Sequence, residues 1–564
     1  MYAMRSQPDC TQRSHALSKL QRGGPVTGRV KRAHPCANRS GTAVDTVSEK
    51  RRFFCFVRFC ACACFVLCDP SFLHVWASFG KGDDICRMSI YLYNSLSGTK
   101  EELRTIEPGK VRFYACGPTV YNYFHLGNAR MFVVFDTVRR YLEYRGYEVR
   151  FVQNFTDVDD RIIQRAQETG QDVREVADYY IDGYFEDADK LGIRRATVHP
   201  RVTECIDDII SFIADLIEKK HAYVANGNVY FDTSTFADYG KLSHQSLDEM
   251  RAGFRIEVHE EKDDPTDFAL WKAAKPNEEY WDSPWGPGRP GWHIECSVMN
   301  DKYLGEQIDI HAGGRDLIFP HHENEIAQTE ARTGHQFAHY WLHNGTLNIN
   351  GEKMSKSLGN FIMTRDLLQR RSARTVRFFL LGAHYRHPLN YTEEAMDQSE
   401  QALERIDRAL RNLSHRESAL RSAQEFTALS TGNEGGDDAV REQVEQSRQA
   451  FKRAMDDDFN TADGIAAIFD GVRLANTYLT GDRVTATGAG LWLDLLEELL
   501  SVLGLEPEEE SQELVEADIL ERIEARNQAR RRRDFAEADA IRDELVSHGI
   551  VLEDTAQGTR WHKA

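Results

Sequence analysis

The sequence lacks several features that would settle its class at once. It contains no GxxxxGK[ST] phosphate loop, which disfavours a P-loop nucleotidase. After Met88 no stretch approaches about 18 uninterrupted apolar residues, which argues against a membrane-spanning body and a membrane partner. Cysteine is scarce there too: eight of the 11 cysteines precede Met88, and only Cys116, Cys205 and Cys296 follow. Such a body is no disulfide scaffold, and it suits a reducing compartment, so the cytoplasm is the expected location. Positive charge is also in deficit. A formal net charge of −19 excludes a wholly basic nucleic-acid coat but leaves room for a local basic patch. No internal repeat is evident.

What is present describes a folded chain of several domains. The 564 residues are 41% hydrophobic and 28% charged, and at about 150 residues per domain three or four domains are expected. Residues 1–87 differ from the rest, with 14 lysines and arginines against 6 acidic residues. The apolar run Phe59–Cys68 is bracketed by Arg58 and Asp69 and is too short to span a bilayer. Cys60-Ala-Cys62-Ala-Cys64 matches no common zinc spacing. Three readings compete for this segment: an upstream extension joined to a start at Met88, a basic organelle-targeting presequence, or a metal-binding segment. The change of composition at Met88 favours the first.

Beyond Met88, Val111–Cys116 reads as a strand that breaks at Gly117-Pro118. Met131, Val134, Phe135, Val138 and Leu142 recur with helical spacing from about Asn128, and Gly146 is a plausible stop. Glu148–Phe155 reads as the next strand, which completes a βαβ unit and implies a parallel sheet. Helical patterns cover about Val173–Leu191 and Pro200–Lys220, a turn-rich strand-like span covers His221–Gly291, and Gln307–His311 returns to the sheet pattern. From Thr392 the chain is helical to about Leu505, broken near Gly432–Asp438; the acidic linker Glu506–Ser511 precedes a last small domain.

Three groups of residues carry chemistry. His125-Leu-Gly-Asn128 opens the crossover helix at a strand's C-terminal end, where ligands bind in open parallel sheets and where helix N–H groups favour phosphate. Lys353-Met-Ser-Lys356-Ser357, followed by Leu-Gly-Asn360, is a cationic loop suited to neutralising charge on a phosphoryl centre. Pro320-His-His-Glu-Asn-Glu325 is expected to start a helix with Pro in its first turn, so that His321 and Glu325, at i and i+4, share a face. With Cys116 and Cys296 they would supply two thiolates, an imidazole and a carboxylate, a set that suits Zn²⁺. Singly, each fits a plainer role: a cysteine in a core, a histidine capping a helix, a lysine in a solvated turn.

Together these motifs are recognisable. Tyr114 to Arg130, Pro290-Gly-Trp-His-Ile-Glu-Cys-Ser297, Asp309 to Glu325 and Lys353–Ser357 occur in the order seen in cysteinyl-tRNA synthetases, class I members of the aminoacyl-tRNA synthetases. The resemblance runs from about Met88 to Ala564 and includes Asp534–Leu545 and Gly549–Thr555 near the C-terminus. One departure is Asn128, where the class I signature often carries a second histidine; an asparagine still donates a hydrogen bond to a phosphate oxygen.

The resemblance implies an α/β fold: a doubly wound, parallel-sheet, Rossmann-like nucleotide-binding core with an insertion, then a helical bundle and a small C-terminal anticodon-binding domain. The expected segments are the extension at 1–87, the catalytic halves at 88–205 and 291–345, the connective insertion at 206–290, a stem-contact segment with the lysine loop at 346–391, the bundle at 392–505 and the anticodon domain at 513–564. It implies ATP-dependent activation of L-cysteine to cysteinyl-adenylate and transfer to the 3′ end of tRNA(Cys), by a monomer. His125, Asn128, Lys353 and Lys356 would serve the phosphates. Gly313, Gly314 and Asp316 would form the adenosine side. Gly117, Thr156 and Trp292 would flank the amino acid, Trp292 having a core aromatic as its alternative. Cys116, Cys296, His321 and Glu325 would hold one Zn²⁺ that selects the substrate thiol, and Mg²⁺ would arrive with ATP. Arg370, Arg371, Arg374, Arg377, Arg526 and Arg530–Arg533 are candidate tRNA cations, through contacts that weaken as salt rises. Two other activities stay open: a ligase joining activated cysteine to an amino sugar, which generally lacks the C-terminal helical and anticodon regions, and a non-catalytic tRNA-binding paralogue, which would have lost a loop lysine or a zinc ligand.

Overall fold

The computed structural model describes residues 89–247, 262–276, 278–354, 359–426, 437–507, 512–547, 550–555 and 558–563. The 1–87 extension and its cysteine run lie outside the described residues. Among the described residues no helix is long and apolar enough to cross a membrane.

Strands β1 (Tyr91–Asn94) and β2 (Thr99–Glu102) form an antiparallel pair. Next come β3 (Lys110–Ala115), helix α1 (Leu126–Tyr144) and β4 (Glu148–Gln153), the βαβ unit expected from the sequence. Helices α2 (Asp160–Thr169), α3 (Val173–Lys190) and α4 (Ile206–Glu218) lead to β5 (Ala222–Ala225), β6 (Asn228–Phe231), β7 (Phe268–Ala273) and β8 (Gly288–Pro290), a separate antiparallel sheet in that order. The chain returns through α5 (Trp292–Leu304), β9 (Ile308–Gly314), α6 (Glu323–Thr333) and β10 (Ala338–Asn344). Strands β11 (Leu347–Ile349) and β12 (Glu352–Lys353), helices α7 (Thr364–Leu368) and α8 (Ala373–Leu381), and β13 (Leu389–Tyr391) follow. Four long helices, α9 (Glu393–Phe426), α10 (Asp438–Asp456), α11 (Thr461–Leu479) and α12 (Ala486–Leu503), pack on one another. The chain ends in α13 (Gln512–Arg531), α14 (Phe535–Ser547) and the hairpin β14 (Ile550–Thr555)–β15 (Gly558–Lys563), around a small core of Ile519, Ile523, Leu545 and Ile550.

The central sheet has the order β10-β9-β3-β4, and every pairing is parallel. Alternation along β3 shows why it is covered on both faces. Val111, Phe113 and Ala115 pack into one core with α1, while Tyr114 and the following Cys116 pack into a second core with Ile294 and Val298 of α5 and Ile326 of α6. From β3 the chain moves outward to β4, and from β9 it moves outward to β10 on the other side. The boundary between β3 and β9 is therefore a topological switch point, and their C-terminal ends bound the crevice where such sheets bind ligands.

One helix that the sequence did not disclose and one local detail have physical reasons. Helix α2 gives only a short apolar stripe, Ile162, Ile163 and Ala166, but its ends are clear in retrospect: the Asp159 side chain caps Arg161 N–H, and Gly170 closes the helix at φ 68°. The α-helical bonding of α6 begins at Glu323, and in the π-helical turn directly before it, Ile318–His322, only Phe319 is non-helical, so Pro320 stands in the opening turn as expected. The residue before a proline is driven towards extended backbone, and Phe319 lies at φ −135°, ψ 132°.

The structure corrects part of the proposed tRNA surface. Arg377 is 1% exposed. Its guanidinium donates to Asp136 and to the carbonyls of Leu191, Gly192 and Leu503. Arg374 is held by both carboxylate oxygens of Asp407 and by Leu505 O, Arg371 by Glu393, Asp397 and Glu400, and the buried Arg526 by Asp554. Arg374 and Arg377, one turn apart on α8, are thus held by groups within the protein, Arg377 being buried with Val376 and Leu380. Arg370, Arg531 and Arg532 keep most of their side-chain surface.

Asp136 is the hub of the buried network, accepting from Arg377, from Arg140 Nε at 2.8 Å and from Arg194 N–H at 2.9 Å. Burial pushes its carboxyl pKa up, but Arg377 and Arg140 outweigh this and hold it below the usual range. A depressed folded-state pKa contributes stability that is full above the unfolded value and is lost as pH falls through the folded one. Asp136→Asn leaves two buried cations short of their counter-ion and is expected to cost about 3–5 kcal/mol, read by urea unfolding at neutral pH. A loss below about 1 kcal/mol would show that the network does not hold α1 to α8.

Candidate active site and metal centre

Cys116 follows the last residue of β3, and its N–H donates to Ala312 O of β9 at 3.0 Å, which fixes it at the switch point. Cys296 lies on α5, His321 just before α6, and Glu325 in the first turn of α6. All four are at most 3% exposed, and their ligand atoms lie within 4.8 Å of one another. The two sulfurs are 3.9 Å apart, Cys296 Sγ is 3.6 Å from His321 Nε2, and His321 Nε2 is 3.0 Å from Glu325 Oε1. With Zn–S bonds of about 2.3 Å, two thiolates on a tetrahedral ion stand about 3.8 Å apart. The donor set and its spacing therefore fit zinc.

Neighbouring groups orient these donors. Glu325 Oε2 meets His311 Nε2 at 2.8 Å, and His321 Nδ1 meets His293 Nδ1 at 3.0 Å. His322 Nε2 is 3.3 Å from Cys116 Sγ, and its Nδ1 is 2.8 Å from His343 Nε2, while His343 Nδ1 is 2.7 Å from Ser95 Oγ. Contacts of this kind set ring orientation and ligand basicity. Cys116, His311 and His322 form a second possible triple, but it shares Cys116, and its histidines are committed to Glu325 and His343. His293, His311, His322, His343 and Asn154 were not assigned roles from the sequence. The first three lie within the quoted motifs, but a lone histidine has no periodic signature.

The electrostatics suit a cation. Burial would raise the Glu325 pKa, yet His311 and His321 hold its carboxyl well below the usual range. Burial opposes charge on His321, yet Glu325 and Cys296 raise it to about 10. The Cys116 thiol hydrogen bond, aided by His321, brings Cys296 down to about 6, while burial and the neighbouring Cys296 push Cys116 well up. These interactions favour the charged forms of Glu325 and Cys296, the groups a cation would need, and binding a cation there would release protons from the cluster.

The remaining sequence-derived residues surround the same crevice. The Gly117 N–H donates to Asn154 Oδ1 at 2.8 Å, and a Cβ on Gly117 would stand 1.6 Å from Asn154 O, so only glycine fits. Thr156 donates to Glu295 Oε2 at 2.7 Å. Trp292 is 39% exposed and stacks on His321 with centroids 4.4 Å apart, which sets aside its alternative as a core aromatic. His125 caps α1, its Nδ1 accepting from Asn128 N–H at 3.1 Å while Asn128 Oδ1 accepts from His125 N–H. A Cβ on Gly313 would stand 2.6 Å from the His322 ring, and one on Gly314 would stand 2.5 Å from Asp316 Oδ1. Lys353 is exposed at the end of β12, and the Met354 methyl lies 3.0 Å from where a Cβ on Gly127 would sit. Lys356, with Ser355 and Ser357, lies outside the described residues.

Known proteins match along the same elements. Residues 102–401 match the model of the class I (C) tRNA synthetase catalytic domain, 450–506 the DALR domain, and 517–561 the cysteinyl-tRNA ligase anticodon-binding domain. The chain is 56% identical over 475 residues to the cysteine–tRNA ligase of Geobacillus sp. (strain WCH70), covering 84% of this chain and 99% of that one. It is 55% identical over 476 residues to the cysteine–tRNA ligase of Anoxybacillus flavithermus, covering 84% and 100%. The chain belongs to the cysteinyl-tRNA synthetase family. The fold of this synthetase is also seen in Mycobacterium tuberculosis methionyl-tRNA synthetase in complex with methionyl-adenylate, with TM-score 0.51 and 16% identity over 70% of this chain and 89% of that one. It is seen again in the LeuRS of the Agrobacterium radiobacter K84 agnB2 LeuRS-tRNA-LeuAMS ternary complex, with TM-score 0.53 and 13% identity over 72% and 87%. In this cysteinyl-tRNA synthetase the buried cysteine–histidine–glutamate cluster is a candidate metal site at the catalytic switch point.

Proposed function

We propose that this synthetase activates L-cysteine with ATP and transfers it to the 3′ end of tRNA(Cys) in the cytoplasm. The observation that carries the reading is the buried Cys116–Cys296–His321–Glu325 set beside the capped N-terminus of α1, in a chain of this family. Zinc held by those four residues supplies a soft Lewis-acidic position that prefers a thiolate to a hydroxyl. This resolves a problem that shape leaves open, since a pocket rejects a near-isostere by only about 10²-fold.

The protein's own groups do the rest by positioning. Trp292 and Thr156 wall the amino acid, and the backbone at Gly117 lets it approach without a side chain. The cysteine carboxylate attacks the α-phosphate of ATP in line, with pyrophosphate leaving, so no protein nucleophile is needed. His125 and Asn128, at the start of α1 where the helix dipole favours negative charge, face the phosphates. Lys353 and Lys356 neutralise charge as it builds on them, and Mg²⁺ comes with ATP. Gly313, Gly314 and Asp316 form the adenosine side. The helices after Glu393 and the small C-terminal domain contact tRNA, which an amino-sugar ligase would not need. Zinc-replete full chain is expected to catalyse cysteine-dependent ATP–pyrophosphate exchange. Exchange that serine supports as well as cysteine would overturn the reading.

A further inference from the structure

Arg130 lies on α1, five residues after His125, and is fully buried, yet among the described residues no carboxylate pairs with it. Buried charges are normally paired, because desolvation is costly. Burial lowers its pKa only to about 10, so it stays cationic at neutral pH. Instead of a counter-ion it has four carbonyls. Nη1 donates to Gly345 O and Thr346 O, both at 3.0 Å; Nη2 donates to His384 O at 3.3 Å and His387 O at 2.7 Å.

Those carbonyls belong to two loops that enter one small sheet. Gly345 and Thr346 lead into β11, and His384–His387 lead into β13. The loops are stitched together by Gly345 N–H to Tyr385 O and Leu389 N–H to Thr346 O, and their approach is so close that a Cβ on Gly345 would lie 2.5 Å from His387 O. Strand β11 pairs on one side with β13 and on the other with β12, which ends at Lys353. The hairpin that presents Lys353 thus hangs from a junction pinned to the catalytic helix by one guanidinium.

We propose that Arg130 is a positioning residue for adenylate formation: it sets the β11–β12 hairpin, and with it Lys353, against the N-terminal turn of α1. The inference rests on the function proposed above. A fixed fork of donors is what four carbonyls from two loops require, and no single neutral side chain replaces it. The amino-acid pocket is built on other elements, so loss of Arg130 reaches the transition state through the hairpin and not through cysteine binding. A misplacement of about 1 Å in such a group is enough to cost about 10²-fold in rate.

The test is a double-mutant cycle in cysteine-dependent ATP–pyrophosphate exchange. Arg130→Met is expected to lower kcat about 100-fold, with KM for cysteine within about threefold and zinc content unchanged. In a Lys353→Ala background the same change is expected to lower kcat by less than about threefold, because the group it positions is already gone. Gly345→Ala, which forces apart the two loops that Arg130 joins while keeping the guanidinium, is expected to give the same pattern and serves if Arg130→Met does not fold. A wild-type kcat in Arg130→Met, or an undiminished 100-fold loss in the Lys353→Ala background, would overturn the inference. Absence of exchange in the unaltered protein would overturn the function instead.

Discussion

Cys296→Ser is expected to strip the synthetase of zinc and to lower kcat/KM for cysteine activation by at least about 10³-fold, while serine activation changes far less. A serine hydroxyl is a poor zinc donor, and with three effective ligands the site loses most of its hold on the ion. What remains is a pocket that separates cysteine from serine by size and polarity, so the preference is expected to collapse towards about 10² or less. Metal content by atomic absorption and exchange rates with each amino acid measure both parts. The buried setting makes the effect large: Cys116, His321 and Glu325 would be left as an uncompensated polar cluster, with each donor at most 3% exposed. Retained zinc with an unchanged cysteine preference would sink the assignment of these four residues.

Lys353→Ala is expected to lower kcat for adenylate formation by about 10²–10³-fold, with smaller changes in the KM values for ATP and cysteine. The lysine is exposed at the end of β12 and makes no ion pair among the described residues, as suits a group that finds its partner only when triphosphate charge develops. Electrostatic stabilisation confined to the transition state falls on kcat rather than on ground-state binding. Pre-steady-state adenylate formation separates this from slow product release. A change of less than about threefold in that step would contradict the role.

Much of the sheet was legible because the physics behind it is periodic. The apolar spacing of Met131, Val134, Phe135, Val138 and Leu142 predicted α1, and the strands beside it completed the parallel unit. The four candidate metal ligands were legible as residue types and as parts of motifs, but their convergence was not. Cys116 and Glu325 are more than 200 positions apart, and only the order β10-β9-β3-β4 brings them together. The orienting histidines were not legible because a lone histidine, on a helix, a strand or in a turn, reads the same whether it meets a carboxylate or water. Arg377 was misread for a related reason: a run of cations does not disclose which members point inward, and the answer came from Asp136 on a helix 241 positions away. Arg130 was visible in the first motif, but its four carbonyl partners belong to loops that sequence patterns do not place.

Single-turnover transfer of radiolabelled cysteine from the zinc-replete full chain to tRNA(Cys) is the decisive measurement. Stoichiometric charging with cysteine and none with serine is expected, with loss of charging after zinc is removed by a chelator. Adenylate formation without any transfer to tRNA, or charging that is indifferent to zinc, would contradict the proposed function.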